Sequence, residues 1–128
     1  MTAGRMRKRA EFLAARGGKR LQGPHFLVEA RDRGDGEAPR FGLTVTKKIG
    51  NAVVRNRIRR RLREAIRTGA ADGMAEGYDY VVVARRDLLD LPFETIRAEL
   101  ARRFSRVRAR ADGDSAPDTR PKDRARAV

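Results

Sequence analysis

Seven of the sixteen residues from Ala52 to Arg67 are arginine and only Glu64 is acidic, yet the apolar residues of this stretch keep to one side of a helix. At about 100° per residue, Val54, Ile58, Leu62, Ala65 and Ile66 share an arc about 120° wide, the width of a helix lying on a core. Arg57, Arg59, Arg60, Arg61, Arg63 and Arg67 take the other side, with Asn56 and Glu64 among them. Two residues depart from the pattern. Val53 falls on the basic side in the first turn, and Arg55 falls inside the apolar arc, near the helix start, where a long side chain can reach outward. Gly50-Asn51 supplies a turn and an N-cap, and Thr68-Gly69 supplies a stop. Such a helix has to lie at the surface, its narrow seam on the core and its arginines outward.

That charge carries a cost. Ordinary surface helices mix signs, so that pairs at i,i+4 support each other by a few tenths of a kcal/mol. Here Arg59, Arg60, Arg61 and Arg63 repel one another, and Arg55 and Arg57 sit toward the end of the helix where the dipole disfavours cations. A bound polyanion offsets this cost, whereas a merely solvated face does not. Arginine suits phosphate, because its planar fork makes two parallel hydrogen bonds and also stacks on bases. With Lys47 and Lys48 before it, residues 47–67 hold +8 of the chain's formal +14. The pI near 11.5 points to nucleic acid ahead of an anionic membrane surface.

The remainder reads as one domain with one modest core, at 128 residues and 40% hydrophobic content. Residues 1–6 read as a loose basic lead-in. Ala10, Phe12, Leu13 and Ala14 predict a short helix over 7–16, stopped by Gly17-Gly18. Strands are predicted over His25–Ala30 and Arg40–Thr46, the second alternating Phe41, Leu43 and Val45 against Gly42, Thr44 and Thr46. These two are expected to pair antiparallel across the polar loop between them. Tyr78–Arg85 is apolar enough for an interior strand buried on both faces. Pro92 suits the first position of a second amphipathic helix, whose seam is Phe93, Ile96, Leu100, Phe104 and Val107. Residues 109–128, with two prolines and no aromatic, read as a disordered tail, which bounds the domain to 1–108. The order is α-β-β-α-β-α, or α-β-β-β-α-β-α with a short extra strand around Arg20–Gln22. That is an α/β (α+β) two-layer sandwich, with helices on a small mixed sheet.

Several chemistries lack their residues. There is no cysteine, and His25 is the only histidine, set between Pro24 and Phe26 in a strand. Thiolate metal sites and Cys–His pairs are thereby excluded, a lone histidine argues against a zinc site, and His25 reads as structural or groove-lining. No G-x-S-x-G elbow or phosphate-binding G-x-x-x-x-G-K-[ST] loop occurs. The acids are scattered, whereas a two-metal nuclease needs them clustered. The chain is therefore expected to hold no catalytic or metal-ligating residue. No apolar run approaches the ~18 residues of a spanning helix, and no secretory leader is visible, so a cytoplasmic location is the expectation.

The run Gly42–Glu64 combines a strand ending in Lys47-Lys48, then Gly50-Asn-Ala-Val-Val, then Arg55-Asn56-Arg57. It closely resembles the signature of the protein subunit of bacterial ribonuclease P, and the similarity extends over roughly residues 5–108. The resemblance implies a ribosomal-protein-S5-domain-2-like fold with a left-handed crossover through the basic helix, where the general rule favours the opposite hand. It implies an RNA-binding component of the endoribonuclease that removes the 5′ leader from precursor tRNA. The active site would lie in a large RNA subunit using Mg²⁺ held mainly by that RNA. The protein would bind the catalytic RNA and the single-stranded leader, raise affinity for precursor tRNA and lower the Mg²⁺ requirement, with no membrane and no protein partner required. By this resemblance Lys47, Lys48, Arg55, Asn56, Arg57, Arg59, Arg60 and Arg63 contact the catalytic RNA. A leader groove is expected between the basic helix and the exposed sheet face, lined by Phe12, Arg16, Phe26 and Lys48. Periodicity alone favours Phe12 as a core residue, while the family places an aromatic of its first helix in the groove. Arg16 stands where a second aromatic commonly follows. The alternative is a non-catalytic ribosomal or chaperone-type RNA-binding protein, against which the signature at 50–57 argues.

Overall fold

A strand that is apolar on both faces hides them only in the middle of a sheet, and the chain puts Tyr78–Ala84 there. The computed structural model describes residues 3–113. Its elements are β1 (Gly4–Arg5), α1 (Arg9–Arg16), β2 (Lys19–Leu21), β3 (Phe26–Asp32), β4 (Arg40–Thr44), α2 (Ala52–Arg67), β5 (Tyr78–Ala84) and α3 (Phe93–Gly113). Short 3-10 turns occupy Lys47–Ile49, Ala70–Gly73 and Arg86–Asp90.

The sheet order is β1-β4-β5-β3-β2. β4 and β5 run parallel, joined by the crossover through α2, while β3 is antiparallel to β5 over its whole length. The expected β3–β4 hairpin does not form, because β5 inserts between those strands. The reason lies in the side chains of β5. Tyr80 and Val82 face one side, Val81 and Val83 the other, and an edge position would leave part of both sets wet. The loop from β3 to β4 therefore passes the end of β5. It is pinned there by Arg33, whose Nη1 donates to Tyr78 O at 3.0 Å and to Asp79 Oδ1 at 2.6 Å.

The main core lies on one face of this sheet. Phe26 and Val28 of β3, Phe41 of β4 and Tyr80 and Val82 of β5 meet the seam of α2 (Ile58, Leu62, Ala65, Ile66) and that of α3 (Ile96, Leu100, Phe104, Val107). The Tyr80 and Phe104 rings sit 4.9 Å apart, and Tyr80 Oη accepts from Ala75 N at 2.8 Å. The mixed α/β architecture is as expected, and among the described residues α1 is the helix that covers the other face, where Ala15 packs with Met6 and Val81.

Smaller departures have local causes. The lead-in forms β1, a parallel edge strand on β4, through backbone bonds that no side-chain period reveals. The extra strand near Arg20 is present as β2. Pro92 caps α3 instead of opening it, since its carbonyl accepts from Ile96 N at 3.1 Å. The helix α3 continues to Gly113, past the boundary expected at 108. The rest of the expected tail, 114–128, lies outside the described residues.

Candidate nucleic-acid interface

The basic surface is built on a firmly held helix start. Ile49 is buried and anchors the turn that carries Lys47 and Lys48. Asn51 caps α2, its Oδ1 accepting from Val54 N at 3.0 Å. Arg55, expected to reach outward, turns back: its Nη1 donates to Gly50 O at 2.9 Å and closes the turn. It is half-buried, while Lys47, Lys48, Asn56, Arg57, Arg60 and Arg63 are exposed. Arg59 donates from Nη1 to Asn56 Oδ1 at 3.0 Å. That bond occupies the acceptor of the asparagine, so the pair offers donors outward, as a phosphate requires. Arg61 donates to Leu91 O at 3.4 Å, and Arg67 donates from Nε to Glu64 at 3.1 Å. The guanidinium of Arg63 is destabilised in its charged form by burial first, then by Arg5 and Arg59. Arg5 is a participant that spacing could not reveal, since it reaches this surface through the pairing of β1.

The second expected surface needs correction. Phe26 is only 1% exposed and faces the α2–α3 core, with the Arg103 guanidinium 4.0 Å from its ring centre. It cannot line an exposed groove. Phe12 sits on the opposite face, half-buried against Met6, Ala15, Val81 and Val83. The strand period separates the two: Phe26 falls in register with Ala84, and Val83 points the other way. The open sheet face is thus bordered by α1 and not by α2. On it the cross-strand partners Thr44 and Val83 are half-exposed beyond Phe12, and sequence patterning had not singled them out. Arg16 is exposed at the last turn of α1, and exposed Lys48 follows from the same end of β4.

The position of α1, and so of Phe12, is set by a charged relay. Asp79 is fully buried and accepts from Arg33, and from Nε and Nη2 of Arg40 at 2.8 Å each. The remaining Nη1 of Arg40 donates to Glu11 of α1 at 2.7 Å. The other oxygen of Glu11 accepts from the backbone N–H of Arg7 at 2.8 Å and of Lys8 at 3.0 Å. The Lys8 and Arg7 bonds, then Arg40, hold the Glu11 carboxyl below the usual range. Gly42 allows the ring to approach, since a Cβ there would stand 2.4 Å from Phe12.

Among the described residues no group of three or more His, Asp or Glu side chains could hold a metal ion. No helix of the described residues is long and apolar enough to cross a membrane.

The ribonuclease P family model matches residues 2–108. A ribonuclease P protein component of Brucella suis is 49% identical over 125 residues, covering 91% of this chain and 89% of the relative. Among solved structures, the ribonuclease P protein of Thermotoga maritima superposes with a TM-score of 0.68 at 32% identity, covering 80% of this chain and 96% of that one. That of Staphylococcus aureus gives 0.67 at 28%, covering 84% and 96%.

Proposed function

The chain belongs to the ribonuclease P protein family, and on that premise we propose that its two basic surfaces divide the binding of RNA. As such a component it serves tRNA 5′ processing by a ribonucleoprotein, and the ribosomal or chaperone-type alternative is not favoured. In our reading, the catalytic RNA lies along α2 and the Lys47–Ile49 turn, where Lys47, Lys48, Asn56, Arg57, Arg60 and Arg63 reach phosphates. Arg55 and Arg59 hold the helix start and Asn56 in place for them. The single-stranded leader crosses the open sheet face beside α1. There Phe12 gives a base a stacking partner, and Arg16 and Lys48 take phosphates with little dependence on sequence. Catalysis and its Mg²⁺ belong to the RNA subunit, and the protein raises affinity for precursor tRNA.

The observation that carries this reading is the fixed, outward donor array of α2, which is seated by its apolar seam and capped at Asn51. The test is cleavage of a 5′-labelled precursor tRNA at limiting Mg²⁺ by a bacterial ribonuclease P RNA alone, by the protein alone and by both. Activity confined to the combined sample is expected. Cleavage by repurified protein alone would place the chemistry in this chain and refute the reading.

A further inference from the structure

With eight residues, α1 is too short to be stable as an isolated helix. Its apolar seat is small: Ala15 is buried with Met6 and Val81, Phe12 and Val83 are half-buried, and Leu13 is exposed. Apolar burial is non-directional, so a seat of this size holds α1 down without fixing how it is turned. The direction comes from Arg40. Asp79 grips this guanidinium with both oxygens, Oδ1 on Nε and Oδ2 on Nη2, each at 2.8 Å. A two-bond grip fixes the plane of the fork. The remaining Nη1 therefore points one way, and Glu11 Oε2 meets it at 2.7 Å. Arg33, on Asp79 Oδ1 at 2.6 Å, keeps the buried carboxylate from turning. Glu11 carries the start of α1 through the backbone N–H groups of Arg7 and Lys8, and Phe12 is the next residue.

We propose that Asp79, Arg40 and Glu11 are positioning residues for the leader, setting the Phe12 ring where a base stacks on it and so setting the preference for RNA that carries a leader. This role rests on the open sheet face being the leader site. Asp79 is fully buried and acts only through the other two. The role needs the fork of Arg40 and not its charge alone, because a lysine ammonium cannot grip Asp79 with two bonds and still reach Glu11 in a fixed direction. None of these hydrogen bonds reaches α2, so binding of the catalytic RNA along that helix is independent of them.

The test assembles the full-length protein with a bacterial ribonuclease P RNA. It measures kcat/KM for a precursor tRNA with a leader of several nucleotides and for the same tRNA with a leader of one; the ratio is the leader preference and is insensitive to incomplete assembly. Arg40→Lys should lower this ratio by about tenfold, the loss of most of one stacked base. The loss should fall on KM for the long leader, with kcat, the short-leader substrate and affinity for the catalytic RNA unchanged. Glu11→Ala, which leaves the Asp79–Arg40 pair intact, should do the same and guards against a folding defect in the first variant. In a Phe12→Ala background neither substitution should lower the ratio further. An unchanged ratio in Arg40→Lys and Glu11→Ala, equal losses for both substrates, or a further tenfold fall without Phe12 would each overturn the proposal. Phe12→Ala alone separates the two failures. If it abolishes the preference while Arg40→Lys and Glu11→Ala do not touch it, the relay alone is refuted; if it leaves the preference intact, the leader site is refuted and the relay with it.

Discussion

Replacing Gly42 with alanine tests the placement of Phe12 directly. A Cβ at Gly42 would stand 2.4 Å from Cε2 and 2.5 Å from Cζ of that ring, and 3.3 Å from the Met6 sulfur. Carbon atoms in contact rest about 3.5–4.0 Å apart, so the ring would have to retreat by about 1 Å. Retreat is opposed by the relay from Asp79 through Arg40 to Glu11, which ties α1 to the sheet. Overpacking of this kind costs about 1–3 kcal/mol. With Phe12→Ala already present the space is open. Gly42→Ala should then be neutral or stabilising by about 0.4–1 kcal/mol, through the lost freedom of the unfolded chain. The two substitutions should therefore couple by about 1–4 kcal/mol, measured by urea unfolding of the wild type, both single mutants and the double mutant. Gly42→Ala alone should also weaken a single-stranded leader, by up to the ~1–3 kcal/mol of one stacked base. An additive cycle, with coupling under about 0.5 kcal/mol, would refute the contact and remove Phe12 from the groove.

Leu62→Ala should destabilise the fold by about 2–5 kcal/mol, since Leu62 is fully buried in the seam of α2; a normal melting curve would show that the seam is misplaced. Arg57→Ala should weaken RNA binding and leave the melting curve unchanged, as Arg57 is exposed. If about five to eight phosphates are neutralised, log K against log[salt] should slope by roughly −3.5 to −6, and a slope near zero would sink the electrostatic account. Glu11 binds its proton less readily folded than unfolded, so its stabilisation is complete above its ordinary value of 4.5 and is lost as pH falls through its lowered value. Asp35, held down to about 2 chiefly by Arg33, acts in the same direction. Glu11→Gln should flatten the acid limb of stability against pH, and an unchanged limb would show that the Glu11 bonds are not formed in solution.

What could be read from the residues was whatever a side-chain period encodes. The seams of α2 and α3 are such patterns, and Ile58, Leu62, Phe104 and Val107 are core residues in the structure. The doubly apolar β5 is central for the same reason. Pairing partners are not encoded this way: β3 and β4 each suit a half-buried strand, and nothing in either says that β5 comes between them. The misassigned Phe26 follows from that gap. Its position in a strand was legible, but which face the strand turns to α1 depends on register with β5. The relay of Asp79, Arg40 and Glu11 joins residues far apart in sequence, and β1 rests on backbone bonds alone, so neither leaves a local trace.

The arginines of α2 are not one uniform cationic face. Arg55 is bound to Gly50 O, Arg59 to Asn56, Arg61 to Leu91 O and Arg67 to Glu64. Each of these bonds fixes a turn, a neighbouring side chain or a connection to α3. Arg57, Arg60 and Arg63 are the exposed ones without such a bond to the described residues. Because the first group already has acceptors within the protein, its members add less when RNA arrives and more to keeping the helix straight under repulsion. The second group stands where a phosphate replaces only water. Alanine at Arg55 or Arg61 should therefore lower the melting temperature before it lowers RNA affinity, and alanine at Arg57 or Arg60 should do the reverse. If all four substitutions weakened RNA binding equally with no thermal cost, the intramolecular bonds would be irrelevant, and the helix would act as an undivided strip of charge.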